Sequence, residues 1–410
     1  MADSRLTPAG RALIAVVGLG ILGYAAWRYG LNPGGSKGAS GTGSPSAQPS
    51  GSPRQTGDRI PLPVLFGTEK EKWLRAAVED FGKANPDVAV ELRGVGTIES
   101  VRAIVEGKER PVVWSPADDI AVNLLEAEWA LGKGGSPVDR EGGLAPQPLV
   151  LTPLVLVAWE DRARALAAAG KPDPADWKTL HALATAAKGW SGLGAPAEWG
   201  FVKIGHTAPN ASNSGLQALV LMAYAYHGKT AGLTAEDVLD EGFQKFLREI
   251  EKAVGTFGAS SGTYMRDMVL FGPSKYDMIW NYESVAIGDM SAAQGRWGRL
   301  KVFYPRPTLW SNHPFVVLKG DWVSPKQRDA AKRLRDFLLT PAVQEKALAA
   351  GFRPANPDVK VIATDPANPF NKMKDDGIRV DIPQTAEVPR GEVARLLLET
   401  WRRNVPSAGR

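Results

Sequence analysis

Cysteine occurs nowhere in the 410 residues. Its absence excludes disulfides, thiolate metal sites, a cysteine nucleophile and lipid attachment through a cysteine, and it is neutral about redox compartment. Histidine is scarce. The four, at positions 181, 206, 227 and 313, are scattered and no His-Glu-x-x-His occurs, so metal-assisted hydrolysis has no motif to rest on. No metal and no cofactor are expected. Basic residues never run longer than pairs such as Arg402-Arg403, and the net charge of +5 is spread along the chain. That is not a nucleic-acid footprint. What remains is an ordinary globular balance, 44% hydrophobic and 23% charged, in a chain long enough for two lobes.

The N-terminus carries a targeting pattern. Arg5 and Arg11 precede an uncharged run from Ala12 to Trp27, closed by Arg28. As a helix this run rises about 24 Å, slightly short for a bilayer but normal for a signal-anchor core. The cleavage candidate around Gly23-Tyr24-Ala25 is poor, so residues 1–29 are read as an uncleaved, single-pass membrane anchor with the folded part on the extracytoplasmic side. Gly18, Gly20 and Gly23 have the spacing of a dinucleotide fingerprint, but they lie inside one apolar span with no strand before them. Residues 30–59 collapse to Gly, Ser, Pro, Thr and Gln. Such a linker buries too little to order itself and reaches about 30 Å from the membrane.

From Ile60 short apolar runs alternate with helical periodicity: strands at 60–66, 88–92 and 112–114, helices at 69–84 and 97–106 and another ending near Trp129. The alternation predicts an α/β fold with parallel-dominated sheets, whose ligands sit beyond the carboxyl ends of the strands. The loops to watch are then Gly67 to Glu69, Gly94 to Thr97 and Ser115 to Asp118. Leu149 to Trp159 reads as a central strand interrupted by Pro153, which is taken as the crossing between lobes. His313 to Leu318 is taken as the return. Residues 60–152 with 312–410 are thus expected as lobe 1 and residues 153–311 as lobe 2. Further expectations are a strand at 200–204, a polar loop at 258–264, a strand at 276–280 with a polar turn after it, and an amphipathic helix at 391–404 closing over the first lobe.

The chain is organised around Gly205-His-Thr-Ala-Pro-Asn-Ala-Ser-Asn-Ser-Gly215, a small polar segment that feeds an apolar helix ending at His227. Ser212, Asn213 and Ser214 are its expected cap. Free N–H groups at such a start can hold an acceptor atom of a ligand, although Ser and Asn are also ordinary caps. The other candidates are Thr68, Glu69, Thr97, Ser100, Ser115, Asp118, Thr207, Tyr264, Tyr282 and Glu283. All but Ser100 and Asp118 are placed on loop ends, and those two one turn into their helices. A cap or a solvated surface group is the competing reading of each. A Glu283 facing the cleft suits a polyol or zwitterion, whereas hydroxyls and N–H groups alone suit an oxyanion. Trp73, Trp129, Trp177 and Trp401 read as core; Trp190, Trp199, Trp280 and Trp310 lie near loops, where an aromatic face can stack a sugar.

The order of elements, together with the 205–215 segment, Leu154-Val-Leu-Val157, Tyr304-Pro305, His313-Pro-Phe315, Ala330-Ala331, Phe337-Leu-Leu339, Gln344 and Gly351-Phe-Arg-Pro354, resembles the bacterial extracellular solute-binding proteins with the type II periplasmic-binding fold. The likeness is to the group often associated with von Willebrand factor A domains. The resemblance implies a two-lobed receptor that closes by hinge motion on a small polar solute (oxyanion, sugar or zwitterion), with Ser212, Asn213, Ser214, Tyr282 and Glu283 facing the cleft. It implies a monomer that serves an ABC-type permease or another membrane complex. The chain departs from the group in lacking a lipobox cysteine, so attachment falls to the apolar segment, and in stopping where a von Willebrand factor A domain could follow. Two alternatives stand beside this reading. One is a ligand-free adaptor of a membrane complex; the other, less favoured, is a serine hydrolase in which His206 poises Ser212 or Ser214. Gly228-Lys-Thr230 lacks the earlier glycine of a phosphate loop.

Overall fold

Leu62, Val64 and Phe66 alternate along one face of β1 (Ile60–Phe66), and helical spacing places Trp73, Leu74, Ala77 and Phe81 on the buried face of α1 (Glu71–Ala84). The computed structural model describes residues 59–361, 366–382 and 384–405. The expected membrane anchor, and all of the linker but Arg59, lie outside them. Among the described residues no helix is long and apolar enough to cross a membrane. The described residues belong to one compact unit.

After β1 and α1 come β2 (Val88–Gly94), α2 (Thr97–Val105), β3 (Val113–Ser115), α3 (Asp119–Gly132) and β4 (Gln147–Pro148). The chain then builds a second half from β5 (Val150–Trp159), α4 (Glu160–Ala168), α5 (Trp177–Ala184), β6 (Ile204–Gly205), α6 (Asn213–His227), α7 (Ala235–Leu239), α8 (Glu241–Glu251), α9 (Ser261–Phe271), β7 (Met278–Tyr282), α10 (Glu283–Asp289), β8 (Leu300–Phe303) and β9 (Trp310–Ser311). It returns through β10 (Pro314–Val317), α11 (Pro325–Leu338) and α12 (Pro341–Ala349), and ends with β11 (Arg353–Pro354), α13 (Pro369–Lys372) and α14 (Gly391–Asn404).

The first sheet runs β2-β1-β3-β10-β4 and the second β11-β5-β7-β6, with β8 and β9 also on β5. The first three strands are parallel, as the alternation predicts, but β10 pairs antiparallel with β3 and β4. In the second sheet only β6 and β7 are parallel; β5 is antiparallel to all its partners. The expected dominance of parallel pairing is therefore corrected to mixed sheets. The reason is that β5 runs out from the first sheet and its neighbours run back.

The two passages lie side by side, with Leu149 N donating to His313 O at 3.3 Å. The outward one falls between β4 and β5, a few residues before Pro153, which is already paired with Trp310 inside the second sheet. His313 marks the return and holds a positive φ of 42°. A third passage follows α12, because β11 pairs with β5. Helix α14 does not lie over the first lobe alone. It packs on α3 of that lobe and on α6, α7 and α8 of the second. Two smaller expectations are also corrected: residues 200–203 are irregular, with only Ile204–Gly205 paired, and the polar loop at 258–264 turns helical at Ser261.

Candidate functional site

A cavity of about 960 Å³ opens where the halves meet. The first lobe contributes Thr68, Glu69, Lys72, Gly96 and Thr97; the second contributes Ser212, Asn213, residues 260–263, Arg266, Tyr282 and Asp289. The lobes nearly touch beside it, since a Cβ added to Gly96 would lie 3.1 Å from the Ala211 carbonyl oxygen. A second cavity of about 400 Å³, lined by Asp173, Trp177 and Arg306, belongs to the second lobe alone. It has the smaller volume and none of the predicted residues.

Helix starts from both lobes face the larger cavity. Gly96 precedes α2 and makes no side-chain cap, and neither does Ser212 before α6, so their first-turn N–H groups are not taken by a capping side chain. Ser260 does cap α9, accepting from Thr263 N. Ser212 does hold the expected N-cap position of α6, but no side chain of the Ser/Asn cluster makes the capping hydrogen bond. Its side chains bond sideways: Ser214 Oγ lies 2.8 Å from Thr207 Oγ1 and 2.9 Å from Ser261 Oγ. Gly215 permits this, because a Cβ there would meet the Thr207 carbonyl oxygen at 2.0 Å.

Behind the cavity a buried polar cluster joins the lobes. Asp118 Oδ2 accepts from Asn213 Nδ2 at 2.7 Å and from Gln217 Nε2 at 2.5 Å, while Oδ1 accepts from Ala121 N at 3.3 Å. Asp118 is the N-cap of α3, not a residue one turn inside it. Asn213 Nδ2 also donates to the Tyr282 hydroxyl at 3.1 Å, and Gln217 Nε2 to Ser311 Oγ at 3.0 Å. Burial raises the Asp118 pKa to about 7 against the pull of the two amides.

Beside this cluster, Lys70 is buried and its Nζ donates to Ser115 O at 2.9 Å and Glu69 Oε1 at 3.3 Å. Burial of Glu69 works against its charge, but the Lys70 ammonium and His313 hold its pKa down at about 2. His313 is fully buried with its Nδ1 3.3 Å from Glu69 Oε1, off the line of a good hydrogen bond. Burial and the nearby Lys70 lower its pKa to about 4.

Of the predicted residues, Thr68, Glu69, Thr97, Ser212, Asn213 and Tyr282 line the cavity. Asp118, Thr207 and Ser214 form the hydrogen-bonded layer behind it. Ser115 is buried under Lys70, and Ser100 is buried where it accepts from Trp114 Nε1 at 2.9 Å. Two further predicted residues do not reach the cavity. Tyr264 is core: its hydroxyl donates to Thr256 O at 2.7 Å and its ring packs on Tyr276. Glu283 is an internal ion-pair partner, with Arg353 Nη2 at 2.7 Å and the Tyr304 hydroxyl closing on it. Both begin helices or follow strands as cleft residues do, but the opposite face of each helix carries them inward. Trp190, Trp199, Trp280 and Trp310 do not line the cavity, whereas Trp73, read as core, does.

Sequence reasoning missed Lys70, Lys72, Gln217, Arg266, Asp289, Ser311 and His313 as neighbours of the site. Lys70 and Lys72 follow directly on the watched 67–69 loop and Arg266 on the polar loop at 258–264, so a helical face projected from each loop would have reached Lys72 and Arg266. It also missed Gly258-Ala-Ser260-Ser-Gly262, which has the Gly-x-Ser-x-Gly spacing of a nucleophile elbow. Ser260 follows a loop, not a sheet strand, and its hydroxyl donates to Thr263 Oγ1 at 3.0 Å. His206 cannot serve it or the α6 serines: Nε2 lies 3.1 Å from Glu251 Oε2 and Nδ1 2.8 Å from Thr207 O. The hydrolase expectation loses its base.

The sequence matches the family described as bacterial extracellular solute-binding protein over residues 62–353. The uncharacterized protein Rv1836c of Mycobacterium tuberculosis is 23% identical over 297 residues, 70% of this chain and 40% of that protein. The chain therefore spans 40% of the length of the curated relatives it matches. Among similar solved structures are a periplasmic thiamin binding protein (15% identity, TM-score 0.57, 86% of this chain and 98% of that one) and the periplasmic binding protein AfuA from Actinobacillus pleuropneumoniae with fructose-6-phosphate bound (15% identity, TM-score 0.55, 84% and 98%). At such identity the likeness shows the fold alone, the two-lobed α/β architecture of periplasmic binding proteins.

Proposed function

The chain belongs to the bacterial extracellular solute-binding proteins, and from that premise we propose that it binds a small polar solute between its lobes and hands it to a membrane permease of the ABC type. The observation that carries this reading is the cavity of about 960 Å³ flanked by helix starts from both lobes. Uncapped N–H groups and hydroxyls arranged around a space of that size supply hydrogen bonds to a solute without needing a metal or a nucleophile. The first-sheet half is proposed as one lobe and residues 153–311 as the core of the other, closing about the passages at 148–150 and 311–314. Residues 1–29 are proposed as the membrane anchor that keeps the receptor near its permease. The similar structures bind thiamin in one case and fructose-6-phosphate in another, so the fold itself does not choose the ligand.

The test is a thermal-shift screen of polar solutes. A ligand that binds only the folded state stabilises it by about 2.7 kcal/mol at 100 times its Kd, so at least one solute should raise the melting temperature. Ser212→Ala with Asn213→Ala should reduce that rise. A chain that gains nothing from any solute and co-purifies with a membrane complex would instead be an adaptor.

A further inference from the structure

Three cations, Lys72, Arg75 and Arg266, and three carboxylates, Glu69, Glu71 and Asp289, line the cavity, and Lys70, buried beside Glu69, tips this balance by one positive charge. Glu69 is engaged by Lys70 at 3.3 Å and Glu71 by Arg75 at 2.7 Å. That leaves Lys72 on the first-lobe wall and Arg266 and Asp289 on the second, none of which has an ion-pair partner within 4.0 Å among the described residues, although both cations act on the Asp289 carboxylate from farther off. Two cations therefore stand against one carboxylate, from opposite sides of the same space. The uncapped starts of α2 and α6 add partial positive charge on both walls.

A second observation bears on the ligand's other end. Asn213 lines the cavity at 3% exposure, and its Oδ1 has no hydrogen-bond partner among the described residues, its Nδ2 being committed to Asp118 and Tyr282. A buried acceptor without a donor is costly, about 1–3 kcal/mol, and a ligand N–H or O–H relieves it. A bare tetrahedral oxyanion at neutral pH offers few or no donors. It is also far too small for a cavity at the upper end of the roughly 300–1,000 Å³ that small-molecule sites occupy.

Resting on the receptor reading, we infer that the ligand is an organic anion that carries its own hydroxyl or amino donors, its charged group held between Lys72 and Arg266 and a donor placed on Asn213 Oδ1. Neutral sugars lack the first feature and inorganic oxyanions lack the second.

Matched probes separate these classes. Glucose 6-phosphate, gluconate and glutamate are compared with glucose, mannitol, sulfate and inorganic phosphate by thermal shift and calorimetric titration of the purified chain. At least one of the first three should stabilise while the other four do not. Lys72→Ala with Arg266→Ala should weaken that binding at least tenfold and leave the melting temperature of the solute-free protein unchanged. A neutral sugar or bare oxyanion that stabilises as strongly, or a double variant that binds like the parent, overturns the inference while the receptor reading stands. If no probe of any class stabilises the chain, the inference falls, while the receptor reading falls only if the wider solute screen is also blank and the chain co-purifies with a membrane complex.

Discussion

Asp118 is a fully buried carboxylate whose two oxygens accept three hydrogen bonds, one from its own helix and two from amides of the other lobe. Its pKa rises from 3.8 to about 7 on folding through burial, so between those values the folded state binds the extra proton. Stability from this group is then present at pH 4 and lost as pH rises toward 7, with a slope of at most about 1.4 kcal/mol per pH unit. Asp118→Asn should remove that slope without unfolding the chain. Asn213 Oδ1 and Gln217 Oε1 lack partners among the described residues, and a flipped amide can accept from the new Asn. Urea midpoints of both proteins from pH 4.5 to 7.5 check this, and parallel curves would refute it. Lys70 tells the opposite story. With Lys70→Met the Glu69 carboxylate loses its ammonium partner and keeps His313 and a backbone N–H, and breaking such a buried pair costs about 3–5 kcal/mol. Adding Glu69→Gln should recover part of that loss in a double-mutant cycle; strict additivity would mean the pair is not coupled.

Helix α6 shows how an element can invert a propensity rule. A helical glycine is ordinarily about 1 kcal/mol worse than alanine, yet Gly215→Ala should destabilise by about 1–3 kcal/mol, because its Cβ would meet Thr207 O at 2.0 Å. The same change should displace Ser212 and Asn213 and so weaken any solute response; a variant at least as stable as the parent in urea would contradict this. The 205–227 stretch was legible because its polar loop and apolar helix contrast within one window. β1 and α1 were legible for the same local reason, their period showing within a dozen residues. Strand direction in the second sheet was not. Leu154 pairs with Tyr282 and Leu151 with Arg353, and no local pattern announces partners so distant. Glu283 illustrates the corresponding limit for the site: its helix-start position matches that of a cleft residue, and its inward partners, Tyr304 and Arg353, come 21 and 70 residues later.

At the scale of the molecule, α14 is the helix that packs on both halves. Val393, Ala394, Leu397, Leu398 and Trp401 bury its apolar face. Near its start, Asn123 Nδ2 on α3 donates to Pro389 O at 3.0 Å, and a Cβ on Gly391 would meet Asn123 O at 2.1 Å. Toward its other end, Trp401 Nε1 donates to Glu251 Oε1 at 2.9 Å and Arg248 Nη1 to Asn404 Oδ1 at 2.5 Å, both on the second lobe. A rod fixed at both ends spans the lobes away from β4, β5 and β10, so the proposed closure on a solute would have to carry or release it. Gly391→Ala should lift the first-lobe end off α3, costing about 1–3 kcal/mol, and widen the range of lobe separations. The chain has no cysteine, so spin labels at Glu79→Cys and Lys188→Cys, one exposed site on each lobe, report a single distance by double electron–electron resonance. The parent should give a narrow distribution and the variant a broader one shifted to longer distance. If the distribution stays unchanged in Gly391→Ala and in a chain truncated after residue 390, while both lose stability, α14 only adds stability and does not restrain the lobes.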